Sequence, residues 1–362
     1  MAYTTIDDPS AHFQAKKYTG NGSSNHAITF DGNSNMQPDW LWNKVVSEAD
    51  SHATFDSSRG NTKLLYPNLN LTEDNDGNGN IESFDSNGFT VGGNQQYANH
   101  DGATQMTWAW KANGGTTTSV SGTGTAAGST KAGTYQANTT AGFSIITFST
   151  GSDDNGDHRI QHGLGAVPHF ILTKERDGTY EWYTYHHKGT DDNDYLRLNL
   201  TNATSNAGAR NVFDGSDFTS TYFEMDNNNI TNDNKTYVAY CFTEIQGYSK
   251  FGSYTGNANT DGPFVYTGFK PAFVLTKKTD NTSNWHLSDN KRGTFNPVSS
   301  ALNPDQNYAE NTTLDQVGID FLSNGFKCRG SNDTQNGSNN YIYMCFAEHP
   351  FVSSKGTPTT AR

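Results

Sequence analysis

The sequence predicts an all-β chain of three tandem antiparallel β-sandwich repeats, jelly-roll-like in kind. Three observations carry this. Short runs of aromatic and β-branched residues alternate with clusters of Gly, Asn, Asp and Pro. Apolar spacing at 3.6 residues is nowhere sustained, so helices are minor. One block of about 100 residues is written three times, and a repeat of that kind dictates how the rest is read.

Composition supports a folded chain. Apolar residues are only 32% of the 362 residues, but aromatics are 12% and include 18 Tyr and 6 Trp. Rings of that size bury large areas and suit pleated surfaces. The net charge of −13 is small for this length, so the disorder signature is half met at most. Short runs such as "FVLTK", "YIYMCFA" and "MTWAWKA", bounded by turn residues, read as strands.

The repeat is visible in landmarks. "QPDWLWNK", "VPHFILTK" and "KPAFVLTK" end at Lys44, Lys174 and Lys277, each six residues after Pro38, Pro168 or Pro271. Each block opens on an alternating strand, from Phe13, Phe143 or Tyr248, and closes on "QMTWAWKA", "YVAYCFTE" or "YIYMCFAE". Pro168 follows Pro38 by 130 residues and Pro271 follows Pro168 by 103; Phe242 follows Trp110 by 132 and Phe346 follows Phe242 by 104. Landmarks at opposite ends of the block shift together, as copies of one unit would. The expected division is a first repeat over 1–112 with an N-terminal docking segment, a Gly/Ser/Thr-rich linker over 113–142, repeats over 143–247 and 248–351, and a tail over 352–362. The second and third repeats join without a spacer and are expected to pack as a rigid pair.

Recurrence also sorts scaffold from chemistry, because a catalytic constellation is normally assembled once. Lys44, Lys174 and Lys277 read as solvated strand ends. Arg59-Gly60, Lys188-Gly189 and Arg292-Gly293 read as turns held by a side-chain hydrogen bond. Trp40, Trp42, Trp108 and Trp110 stand at i, i+2 spacing, which places each pair on one strand face and in a core layer. Cys241 and Cys345 sit in matching aromatic strands and read as buried thiols. With Cys328 they make an odd, sparse set that is no disulfide framework.

No nucleophile elbow, phosphate loop, dinucleotide fingerprint or HExxH helix is present. His158, His162, His169, His186 and His187 match no zinc spacing and read as surface residues of a polar sheet. Acid pairs such as Glu48 with Asp50, or Asp153 with Asp154, would serve a glycosidase only at a fixed separation across a cleft, which sequence does not show. The chain is therefore expected to be non-enzymatic. One metal motif stands out. "DNDGNGNIESFD" places Asp74, Asp76 and Asn78 at positions 1, 3 and 5 of a calcium loop, Gly79 at 6, the Asn80 carbonyl at 7 and Asp85 at 12. The closing residue is Asp rather than Glu, flanking helices are absent, and an Asp/Asn/Gly-rich chain produces such strings by chance. The composition favours an ordinary acidic loop, with calcium as the alternative and no other cofactor expected. Tyr97, Tyr180 and Tyr195 are loop aromatics of the kind on which sugars stack. The acidic balance argues against a nucleic-acid partner, and no apolar run reaches the length of a membrane span. The N-terminus has no basic start and no apolar h-region, so no secretory signal is expected.

The stretches "MAYTTIDDPSAHFQ", "NTTAGFSIITFSTG", "HGLGAVPHFILTK", "YVAYCFTEIQGYSKFGSYTGN", "DGPFVYTGFKPAFVLTKKTD" and "IDFLSNGFKCRG" resemble a family of virion proteins of marine tailed phages, described as tail-fibre or lectin-like proteins of the concanavalin-type sandwich. The resemblance runs from Met1 to about Phe351. It implies location on the virion, contact with other virion proteins, homo-oligomerisation and attachment to host-surface carbohydrate. It brings no catalytic motif. The alternatives are a capsid-surface decoration or cement protein, a carbohydrate-binding module with metal-dependent affinity, and a polysaccharide depolymerase.

Overall fold

The structure is a computed structural model. It describes residues 3–359 apart from 76, 78, 125–127, 152–157, 191–193, 207–211, 226–231 and 314–317. The protein is all-β, as the patterning predicts. The first repeat contains β1 (Phe13–Thr19), β2 (His26–Thr29), β3 (Trp40–Val45), β4 (Ala53–Asp56), β5 (Gly60–Leu65), β6 (Asp74–Asn75), β7 (Ile81–Asp85), β8 (Gly88–Val91) and β9 (Thr104–Trp110). Next come β10 (Thr118–Val120), β11 (Ser129–Thr130) and β12 (Ala132–Asn138). The second repeat has β13 (Phe143–Ser149), β14 (His158–Gln161), β15 (Phe170–Glu175), β16 (Tyr183–His186), β17 (Asp194–Arg197), β18 (Ser205–Asn206), β19 (Tyr222–Met225) and β20 (Thr236–Phe242). The third has β21 (Ser249–Thr255), β22 (Phe264–Tyr266), β23 (Phe269–Lys278), β24 (His286–Asp289), β25 (Ile319–Leu322), β26 (Gly325–Cys328) and β27 (Asn340–Pro350).

The three repeats share one topology. Each large sheet is built on the same kernel, in the orders β1-β9-β3-β4, β13-β20-β15-β16 and β21-β27-β23-β24. Each has a three-stranded companion, β2-β8-β7, β11-β14-β19 or β22-β26-β25. Alternation along the strands gives each large sheet two buried faces. One face packs on its own small sheet, through Phe89, Phe223 or Phe326. The other faces meet in one cluster drawn from all three repeats.

At the centre of that cluster stand Trp110, Phe242 and Phe346. They occupy equivalent positions, opposite Trp40, Phe170 and Phe273 respectively. Their ring centroids form a triangle with sides of 6.3, 5.6 and 5.5 Å. A pseudo-threefold axis therefore runs through the aromatic core. The tryptophans predicted as core are all buried, and Trp40 stacks on Tyr240 of the next repeat at 4.2 Å. The repeats are three sectors around one core. The expected rigid pair of the second and third is thus an incomplete description, because the first joins them on equal terms.

The stretch 113–142 does not behave as a linker. Asp39 gathers the amides of Ala112, Gly114 and Gly115 at 2.7–2.9 Å. β12 then pairs along all seven residues of β13. Low charge and small side chains, read as linker composition, are here what lets a strand lie in the seam between the first two repeats.

Candidate functional site

Separating what the three copies share from what one copy alone carries locates the candidate site. The shared lysines are structural, and the expectation of solvated strand ends is wrong. Lys44, Lys174 and Lys277 are buried. Each Nζ is turned back onto main-chain carbonyls: Val45 and Glu48, Glu175 and Gly178, and Lys278, Ser283 and Thr201. Burial pushes each ammonium down to about 8. A lysine with three rotatable donors suits this task, satisfying carbonyls at a strand end that water does not reach.

The recurring turns hold the sectors together. Asp56 Oδ1 accepts from the amides of Ser58 and Arg59, and Asp289 Oδ1 from those of Lys291 and Arg292, so the predicted side-chain-held turn is present in two copies. Their other oxygens take Arg59 Nε and Arg292 Nε at 2.5 Å. Both pairs reach the next sector. Asp56 accepts from Tyr240 Oη at 2.7 Å, and Asp289 from Trp108 Nε1 at 3.1 Å. In the second repeat, strand pairing aligns His186 with Asp56 and Asp289, since these lie opposite Phe170, Trp40 and Phe273. Lys188 therefore corresponds to Ser58 and Lys291, one position away from the sequence alignment. His186 is buried, and its Nε2 meets the Tyr343 carbonyl at 3.1 Å.

The histidines are not surface residues of a polar sheet. His158, His162 and His186 are buried, and His169 and His187 half-buried. Burial lowers His162 and His169 to about 4 and His186 to about 3. Each is therefore neutral at pH 7. Cys241, Cys328 and Cys345 are buried free thiols.

Of the calcium-loop residues, Asp74 lies on β6 and is exposed, with Oδ2 3.4 Å from Tyr66 Oη. Asn80 is buried and its Oδ1 accepts from the Tyr97 amide. Asp85 accepts from Ser83 and Thr90 hydroxyls, both at 2.7 Å. Asp76 and Asn78 lie outside the described residues, as do Asp153 and Asp154. Among the described residues no group of three or more His, Cys, Asp and Glu side chains is placed to hold a metal. Glu48 and Asp50 line a cavity of about 340 Å³ with Asn94, Gln96 and His100. His100 Nδ1 lies 3.3 Å from Glu48, and Gln96 donates to Asp50 at 3.0 Å. Of the loop tyrosines, Tyr97 packs edge-on to Tyr66 and Tyr195 to Tyr183, while Tyr180 is exposed.

Among the described residues, one feature carried by a single copy is on β22. Val265, Ile28 and Ile160 are equivalent, each opposite the core Phe of its small sheet. The residues flanking them are Ala27 and Thr29 in the first repeat and Arg159 and Gln161 in the second. In the third they are Phe264 and Tyr266, which share one face of an edge strand and are 46% and 52% exposed. Lys327 lies opposite Phe264 and is paired with Asp261 at 2.8 Å. Tyr3 Oη donates to the Gly268 carbonyl at 2.8 Å and sits 3.1 Å from Tyr266 Oη. The result is a fixed aromatic platform rimmed by hydroxyls and a charged pair. Nothing in the strand pattern of the third repeat marks it. Its signal was the contrast between copies at positions where the other two carry small or polar side chains.

A family model described as a domain of unknown function, DUF7483, matches residues 8–350. The chain belongs to the DUF7483 family. No curated protein and no solved structure matches it. The DUF7483 match spans all three sectors, as their common core requires of any unit that folds as a whole.

Proposed function

We propose that this chain is a non-catalytic structural protein of a tailed-phage particle, exposed on it as part of a fibre or adhesion device, and that it recognises surface carbohydrate through Phe264 and Tyr266. The observation that supports the reading is the aromatic pair itself: two half-exposed rings on one face of an edge strand, in one copy of three, at positions that carry small or polar side chains in the other two. An aromatic face attracts the C–H face of a pyranose, and neighbouring hydroxyls and the Lys327–Asp261 pair supply directional contacts. Exposed apolar patches rimmed by polar groups mark interaction sites more often than accidents. The sequence resemblance to phage virion proteins supplies the setting. The test is a glycan array read with the intact protein and with Phe264→Ala/Tyr266→Ala. A glycan signal lost in the double variant, with an unchanged melting temperature, supports the reading. No signal in either form overturns the carbohydrate part, and micrographs of labelled particles test the location.

A second reading, surface decoration of the capsid, is favoured by the internal pseudo-threefold: one chain offers three similar sectors to a threefold position. Copy number per particle separates the two, being far higher for a decoration protein.

A further inference from the structure

The three seams between sectors lie at equivalent strand edges, β1, β13 and β21, and one of them already holds an added β-strand. In the seam between the first and second sectors, β12 lies on the edge of β13 with Thr134 opposite Thr147 and Ala132 opposite Ser149. Gln136 Nε2 anchors it by donating to Ser57 Oγ and Ser58 Oγ at 2.8 and 2.6 Å. In the seam between the second and third sectors, β21 is the corresponding edge strand, and among the described residues no strand pairs with its outer edge.

Its pairing shows what that edge offers. Ala347 N–H donates to the Tyr248 carbonyl and Gly256 N–H to that of Asn339, so the even-numbered residues of β21 bond to β27. Antiparallel pairs alternate, so Phe251, Ser253 and Thr255 turn their N–H and C=O groups to the free edge. His187 Nε2 meets the Phe251 carbonyl at 2.8 Å and closes the inner end. The main-chain groups of Ser253 and Thr255 have no partner among the described residues. They line a cavity of about 540 Å³ together with Lys188, Thr190, Asp194 and Asn340. The Lys188 side chain is exposed and makes no ion pair among the described residues. It stands where Ser58 meets Gln136 in the filled seam. The remaining seam, between the third and first sectors, differs. Its cavity is about 180 Å³ and its lysine, Lys291, is already paired with Asp31 at 2.8 Å.

We infer that the seam between the second and third sectors is an acceptor for an extended segment of a partner protein, which adds as a strand to β21 at Ser253–Thr255 and places a carboxylate on Lys188. Main-chain bonds to the edge give such docking its affinity and the side-chain anchor gives it selectivity. The acidic anchor follows from the exchange of Ser58 for Lys188 between the filled seam and the open one. The site is separate from Phe264 and Tyr266, so its failure leaves the carbohydrate reading untouched.

The probe is a fluorescent, end-blocked peptide copying Thr130–Gln136 with Gln136→Glu, titrated into the full chain and followed by anisotropy. Saturable binding is expected. Ser253→Pro removes an N–H that faces away from β27, a place where an edge strand tolerates proline, and it should abolish binding. Lys188→Glu changes an exposed side chain and should weaken binding by about tenfold or more, as should the peptide that keeps Gln136. Melting temperatures of both variants serve as the folding control. Absence of saturable binding, or binding that survives both variants, overturns the inference. So does a soluble polysaccharide that protects the Ser253 and Thr255 amides from exchange where the peptide does not.

Discussion

Replacing Asp289 by Ala asks how tightly the three sectors are coupled. Asp289 is fully buried and accepts from the Lys291 and Arg292 amides at 2.9 Å, from Arg292 Nε at 2.5 Å and from Trp108 Nε1 at 3.1 Å. Its loss leaves a buried guanidinium with Glu310 at 3.0 Å and the Leu287 carbonyl, and orphans the indole N–H in the neighbouring sector. Breaking one side of a buried pair costs about 3–5 kcal/mol. How far that moves the melting temperature depends on the size of the unit that melts. At about 2.1 cal/mol/K per residue, the whole chain has an unfolding entropy near 0.76 kcal/mol/K, and the shift is roughly 4–7 °C. A single sector of about 100 residues melting alone would shift by roughly 14–24 °C. Because Trp110, Phe242 and Phe346 pack on one another, the smaller shift is expected, in one calorimetric transition whose van't Hoff and calorimetric enthalpies agree. Two resolved transitions, or a shift well above 10 °C, would refute the shared core as the unit of folding.

The buried lysines predict an unusual alkaline behaviour. Their folded values near 8 lie below the ordinary 10.5, so the unfolded chain binds more protons in that window and stability should rise from pH 7 to 9 by about 1 kcal/mol per lysine; urea midpoints that stay flat or fall would refute it. The histidines act at the other end. Held at about 4 for His162 and His169 and about 3 for His186, they are neutral in the fold, so stability should drop as pH falls from 6.5 towards 4, with a shallower slope in His186→Gln. Equal urea midpoints at pH 7 and 5 would contradict this. Finally, 1 mM Ca²⁺ should leave the melting temperature unchanged, because both Asp85 oxygens already accept from the Ser83 and Thr90 hydroxyls; a rise of several degrees, lost in Asp85→Ala, would restore the metal loop.

Period and punctuation made the strands legible, and the spacing of Pro38, Pro168 and Pro271 made the repeat legible. Burial of Trp40, Trp42, Trp108 and Trp110 followed from i, i+2 spacing. What the pattern could not carry was the identity of the covering surface. An alternating strand says that a face is buried, and the same code serves a private sandwich or a core shared by three. The lysines were misread because hydropathy scores the ammonium and not the carbonyls waiting for it. Residues 113–142 were misread because a strand that fills a narrow seam needs the small, uncharged side chains that also make a linker. The aromatic platform was hidden for a different reason: Phe264 and Tyr266 look like ordinary strand residues until the equivalents in the other copies are known to face water.

The way the copies diverged follows from what each seam must satisfy. Trp108, Tyr240 and Met344 are equivalent, opposite Trp42, Leu172 and Leu275. Two of them bring a polar hydrogen into the core and one does not. Where the hydrogen is present, the facing turn supplies a buried carboxylate, Asp289 for Trp108 and Asp56 for Tyr240, and an arginine three residues on to balance it. A carboxylate facing Met344 would keep the Lys188 amide that now donates to His186 but would find neither a donor on the facing strand residue nor an arginine to balance it. The second repeat has His186 there, neutral and bonded to a carbonyl, and Gly189 where Arg59 and Arg292 stand. A Cβ on Gly189 would lie 2.5 Å from Ile342 Cγ2, so the turn approaches the third sector closely where the other two hold a guanidinium. Exchanging one member alone should therefore fail. Met344→Trp would bury an indole N–H against a turn that carries no carboxylate to receive it, whereas the neutral turn and the apolar strand residue fit each other as a pair.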